Sequence, residues 1–102
     1  MFGSLNIQAQ DSNIVKESFK VWGNCEMCKT TIEKAVKPID GIISGKWKMT
    51  AGKMVVKYDK SKTSLVEIKK AIAAVGYDTE EYRASDDTYS KLHHCCQYER
   101  PK

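Results

Sequence analysis

With 102 residues and 41% apolar side chains, the chain can bury one small two-layer core and has no room for a second. Its net charge of +4 is mild, and no basic run is interleaved with aromatics, which argues against a nucleic-acid binder. No segment approaches the roughly 20 apolar residues that a membrane helix needs. The charge is nonetheless uneven. Residues 15–70 hold 13 Lys against 6 acidic residues, whereas 78–87 hold Asp78, Glu80, Glu81, Asp86 and Asp87 against Arg83 alone. A lysine-bearing face of this kind suits docking to a protein of complementary charge.

The first thirteen residues read in two ways. Leu5 and Ile7 followed by Ala9-Gln10 fit the end of an export signal, which would make the protein periplasmic or otherwise exported. The alternative is a flexible extension on a cytoplasmic protein. From Ile14 to Trp22 the chain alternates, with Val15, Phe19 and Val21 on one side and Lys16, Ser18 and Lys20 on the other, as in a half-buried strand. The spacing of Cys28, Ile32, Ala35 or Val36, and Ile39 then turns helical, Pro38 stops the helix, and Asp40-Gly41 turns the chain. A second strand places Ile43, Trp47 and Met49 on one side. Thr50-Ala51-Gly52-Lys53 reads as a hairpin loop into a third strand with Met54, Val56 and Tyr58 on one face.

Ser64 and Glu67 form a capping-box pattern ahead of Leu65, Ile68, Ile72 and Val75, and Gly76 stands where a left-handed helix cap is expected. Thr79 to Ala84 reads as a short polar edge strand. This order predicts an α+β, ferredoxin-like βαββαβ sandwich over residues 14–84, with two helices on one face of a four-stranded antiparallel sheet. Residues 85–102 form a tail, in which Ser85-Asp86-Asp87 caps a short helix ahead of His93-His94-Cys95-Cys96.

Cys25 and Cys28 flank Glu26-Met27 in the loop between the first strand and the first helix. Thiolates there select soft ions: two alone suit Cu(I) or Hg(II) in near-linear coordination, whereas structural Zn(II) asks for four ligands. The helix N-terminus favours the thiolate of Cys28, and Lys20 and Lys29 are placed to balance a bis-thiolate complex. A redox-active disulfide is the competing reading, with Trp22 near Cys25, but neither Pro38 nor Pro101 stands where the redox fold places its proline. No general base, oxyanion site or phosphate loop marks an enzyme.

Cys25-Glu26-Met27-Cys28, the element order and Gly76-Tyr77 resemble the heavy-metal-associated domain family, which includes copper chaperones, soluble domains of copper-exporting ATPases and the periplasmic mercury-binding protein. The resemblance implies that Cys25 and Cys28 are the metal ligands; the expected role is a chaperone or buffer of Cu(I), with detoxification of Hg(II), Cd(II) or Zn(II) as the alternative. It also implies that Tyr77 is an outer-shell group, and that the ion passes by stepwise thiolate exchange to a metal-transporting ATPase or efflux component. The chain departs from the family at Gly23, where Met is usual, and Trp22 is expected to fill that space.

The tail offers four more donors. Adjacent Cys95 and Cys96 do not readily close a disulfide with each other, because the small ring strains the peptide. They are candidate additional metal ligands; His93 and His94 read first as solvated residues. A last strand antiparallel to the first would end at the pole opposite Cys25. Roughly eleven residues, partly helical, can cover about 20 Å of return path. The protein is expected to act as a monomer or as a metal-bridged dimer.

Overall fold

A computed structural model describes residues 13–101; the N-terminal segment with its two readings lies outside them. The chain runs β1 (Ile14–Lys20), α1 (Glu26–Val36), β2 (Ile42–Lys48), β3 (Lys53–Asp59), α2 (Leu65–Ala74), α3 (Asp86–Ser90) and a 3-10 turn at His94–Cys96. β3 is the central strand, antiparallel to β1 and β2. Its register puts Met54 between Phe19 on one side and Trp47 on the other. These three side chains are buried in one cluster with Val56, with Ile32 and Val36 of α1, and with Ile68 and Ile72 of α2. The alternating strands and the helical stripes thus close one apolar layer between sheet and helices, as the sequence predicts.

Strand β2 departs from simple alternation. Ile42 pairs with Tyr58 but Ser44 with Lys57, so the register shifts between them and a bulge reverses the phase. Ile43, expected inside with Trp47, is 53% exposed, and Ile42 packs against the core instead. Met49 lies beyond the strand and is also exposed. At α2 the capping box is half formed: Ser64 Oγ accepts from the Glu67 amide at 3.3 Å, whereas the Glu67 carboxylate accepts from Thr63 Oγ1 at 3.1 Å. Gly76 ends α2 with a φ of +108°, and Val75, expected in the apolar stripe, is exposed there while Ala73 faces inward.

The predicted fourth strand does not form. Val21 and Thr79 make one isolated antiparallel bridge, supported by a Trp22 amide bond to the Asp78 carbonyl at 3.0 Å. One residue further on, the amide of Lys20 donates to the Glu80 carboxylate at 2.7 Å rather than to a backbone carbonyl. Thr79 and Tyr82 then close a turn, the Thr79 amide donating to Tyr82 O at 2.9 Å. A side chain has taken the place of the ladder, and the described residues hold a three-stranded sheet.

That turn also changes the path of the tail. The chain never reaches the pole opposite Cys25; it doubles back at once, with the Ala84 amide bonded to Asp78 Oδ1 at 2.7 Å. Ser85 caps α3, as expected, by accepting from the Thr88 amide at 3.2 Å. Leu92 and the Thr88 carbonyl then sit over Gly76, where a Cβ would come within 3.0 Å and 3.1 Å of them. Tyr98 is buried. Its hydroxyl donates to Gly76 O at 2.9 Å and accepts from the Asp78 amide at 2.8 Å. Its ring stacks on Tyr77 at 5.6 Å and meets Tyr89 edge-on at 5.1 Å. Arg100 forks onto Asp78, with Nε to Oδ2 and Nη2 to Oδ1 both at 2.9 Å, and reaches Asp86 at 2.8 Å. Asp78 is fully buried, and this pairing with the Ala84 amide meets the desolvation cost of its charge.

Candidate metal centre

Cys25 is the N-cap of α1, in an extended conformation with φ −156°, and Cys28 stands in the helix's first turn. The N-terminal amides of a helix point at whatever occupies that cap, which favours a negative sulfur. Burial raises the Cys25 pKa. The amides of Cys28 and Met27 and the thiols of Cys28 and Cys96 outweigh it and bring the group down to about 7. The strand and the helix therefore meet at a thiol that ionises near neutrality.

Three sulfurs gather there. Cys25 Sγ lies 3.4 Å from Cys28 Sγ and 3.4 Å from Cys96 Sγ. Cys28 is buried, and its thiol donates to Asn24 Oδ1 at 3.1 Å. Cys96 is 2% exposed, and burial together with the thiols of Cys25 and Cys28 pushes its pKa up. Cys95 is exposed at the rim, with its sulfur 3.9 Å from Cys96 Sγ and 3.6 Å from Met27 Sδ. The sulfurs of Cys25, Cys95 and Cys96 all lie within 4.8 Å of one another. All four cysteines are free thiols. His93 and His94 are exposed and stand outside this group.

Tyr77 lies beneath the thiols. It is fully buried, and its hydroxyl has no hydrogen-bond partner. Burial, and next the sulfurs of Cys28 and Cys96, push its pKa up. A buried phenol left unpaired beside sulfur is a donor waiting for an acceptor, and a thiolate formed on metal binding is one. This donor set of soft sulfurs with one spare O–H fits a soft metal ion.

Two expected neighbours are engaged elsewhere. Lys29 is ion-paired with Glu33, whose carboxylate also accepts from the Trp47 amide at 2.9 Å, and Lys20 lies over the Trp22 ring at 5.5 Å. Nor is Trp22 the side chain packed against Gly23. A Cβ at Gly23 would meet the Trp47 ring at 3.0 Å and Cys28 Cβ at 3.3 Å, so the Trp47 indole occupies the space beside the thiol loop. Its Nε1 donates to Val21 O at 3.1 Å, which ties the loop's floor to the end of β1. Asn24, Met27 and the clamp of Asp78, Tyr98 and Arg100 escaped the sequence reading. Met27 had one signal, a thioether between two thiols of the same motif.

The chain matches the model of the heavy-metal-associated domain over residues 24–78 and belongs to that family. It is 38% identical over 55 residues to the copper chaperone CopZ of Staphylococcus aureus (strain bovine RF122 / ET3-1), an alignment covering 54% of this chain and 81% of that one. Among solved structures it resembles oxidised MerP from Ralstonia metallidurans CH34, at a TM-score of 0.62 and 28% identity over 66% of this chain and 94% of that one. It also resembles the Cu(I)-loaded N-terminal domain of a potential copper-translocating P-type ATPase from Bacillus subtilis. There the TM-score is 0.60 and the identity 26%, over 63% of this chain and 81% of that domain. The family match ends at Asp78, so the turn and the tail with Cys95 and Cys96 lie beyond it.

Proposed function

We propose that this protein is a carrier of soft metal ions, foremost Cu(I), which holds its cargo on Cys25 and Cys28 and passes it to an acceptor by thiolate exchange. The observation that carries this reading is a pair of free thiols at one helix start, Cys25 at the N-cap of α1 with its sulfur 3.4 Å from that of Cys28 in the first turn. A thiolate that forms near neutral pH binds a soft cation without a large proton cost. The names of the CopZ relative and of the Cu(I)-loaded ATPase domain support copper as the foremost cargo.

The acceptor is a metal-transporting ATPase domain or efflux component with a similar dithiol loop. Glu26, Lys29, Lys46, Lys48 and Met49 line a shallow groove beside the start of α1, a mixed rim with basic excess that suits an acidic docking surface. The protein catalyses no bond-making of its own. Exchange at a two-thiol site leaves the ion's oxidation state unchanged.

Titration of the reduced protein with Cu(I) against a chromogenic Cu(I) chelator tests the reading. Wild type should withdraw one Cu(I) per chain from the chelator, and Cys25→Ser/Cys28→Ser should withdraw almost none. Retention of wild-type affinity by the double variant rules the assignment out. A parallel titration with Zn(II) ranks the metals.

A further inference from the structure

The docked tail brings a sulfur into the metal loop that the family match does not contain. Cys96 belongs to the same buried cluster as Cys28 and Tyr77, and its sulfur stands as near to Cys25 as Cys28 does. Its position is built. Tyr98, two residues on, is fixed by two hydrogen bonds and two aromatic contacts, and Arg100 is locked onto Asp78. The Cys96 amide is bonded to His93 O at 2.7 Å, which sets the 3-10 turn that aims the side chain inward.

Distances decide how many sulfurs the ion meets. With metal–sulfur bonds of about 2.3 Å, a collinear pair stands about 4.6 Å apart and a planar trio about 4.0 Å apart. From the observed 3.4 Å, a trio opens by about 0.6 Å along the two edges that meet at Cys25, and a collinear Cys25–Cys28 pair opens by about 1.2 Å. The larger movement would pull Cys28 out of its buried seat and away from Asn24 Oδ1. The unpaired Tyr77 hydroxyl lies by Cys28 and Cys96, the two members of the trio that are fully enclosed.

Resting on the two-thiol carrier reading above, we propose that Cys96 is a third thiolate ligand supplied by the docked tail, so that the resting site is a closed three-sulfur cradle. An acceptor then takes the ion by displacing Cys96 first. In that step the acceptor's thiol gives up its proton and forms a bond from sulfur to metal. The bond from the metal to Cys96 Sγ breaks, Cys96 takes up one proton, and no electron moves. Cys95 stands at the exposed rim beside Met27, its sulfur 3.6 Å from Met27 Sδ, outside the proposed trio. The tail thus does in one molecule what the acceptor does in the complex, and the two compete for one coordination position.

The test uses the full chain loaded with one Cu(I). X-ray absorption should count three Cu–S bonds in wild type and two in Cys96→Ser. Transfer of Cu(I) to the chelator should quicken in Cys96→Ser by at least about tenfold, the lower end of what even an outer-shell partner of a metal is worth. Arg100→Gln removes no sulfur from the chain but loosens the tail that seats Cys96, so it should shift both readouts the same way, with far-UV circular dichroism confirming that the sheet and helices remain folded. Two Cu–S bonds in wild type, or three bonds and wild-type transfer in Cys96→Ser, overturn the proposal. So does loss of the third bond in Cys95→Ser but not in Cys96→Ser. Any of these results together with a silent Cys25→Ser/Cys28→Ser variant leaves the carrier reading standing. Tight binding by that double variant removes the carrier reading itself.

Discussion

The region from Ile14 to Asp78 and the tail from Ser85 to Pro101 are held by different physics. In the first, sheet and helices bury a continuous apolar layer in which Trp47, Met54, Ile32, Ile68 and Ile72 are under 2% exposed. Such a layer is non-directional and redundant, because each side chain touches many others. The tail buries Cys96 and Tyr98 in that layer, packs Tyr89 and Leu92 against it, and otherwise depends on directional contacts: the Asp78–Arg100 fork, the Tyr98 hydroxyl, and the stacked and edge-on contacts of its tyrosines. The apolar layer gives the thiol loop a rigid floor. The polar clamp gives the third sulfur a seat that one broken contact can release.

The sharpest way to break the comparison is from the floor. Trp47→Ala should cost about 3–5 kcal/mol, the range for a large aromatic removed from a core, and should collapse both regions together in a denaturant titration. Asp78→Ala attacks the clamp. It takes from Arg100, whose side chain is only 12% exposed, its one buried carboxylate, leaving exposed Asp86 and the Ala84 carbonyl, and it frees the Ala84 amide. About 3 kcal/mol of tail docking should therefore go, the low end for a broken buried pair. Hydrogen exchange should then speed up at Cys96 and Tyr98 and stay slow in β3. Uniform acceleration through both regions would show that the tail and the sandwich are one cooperative unit.

Tyr98→Phe is gentler. It keeps the ring and leaves the Asp78 amide without its acceptor, which should weaken docking by about 1–2 kcal/mol on the same exchange readout. Acid should loosen the tail as well. Burial alone raises the Asp78 pKa, but the Arg100 bond and the Ala84 amide hold it below the ordinary carboxylate value. The stabilisation is therefore complete above the unfolded carboxylate's pKa and is lost as pH falls through the lowered folded value. The protection factor at Cys96, which removes the intrinsic pH dependence of amide exchange, should fall in that window in wild type and stay flat in Asp78→Asn. Lys91→Ala, which removes a pair exposed by 73% and 75%, should change docking by about 0.5 kcal/mol or less.

The sandwich was legible because periodicity is local. Phe19 with Val21, Met54 with Val56, and Ile68 with Ile72 declare their faces within a few residues. Where the reading failed, a side chain beat a pattern. The bulge before Ser44 sent Ile43 outward, and Glu80 took the Lys20 amide that the fourth strand needed. The Cys25-Cys28 loop was legible from spacing. The seat of Cys96 was not, because it depends on Arg100 meeting Asp78 across 22 residues, and neither residue carries a periodic mark. The supposed return from the far pole also disappeared once Thr79 and Tyr82 turned the chain early.

Gly76 connects these halves through an atom it lacks. Its backbone, at φ +108°, finishes α2, and the room left by its missing Cβ is filled by Leu92 and the Thr88 carbonyl. A methyl group there would both strain the end of one helix and lift the other off its bed, and the disturbance would surface twenty residues later as a sulfur withdrawn from its two companions. The grip of the pocket is thus adjustable from a position that bears no donor atom and never touches the ion.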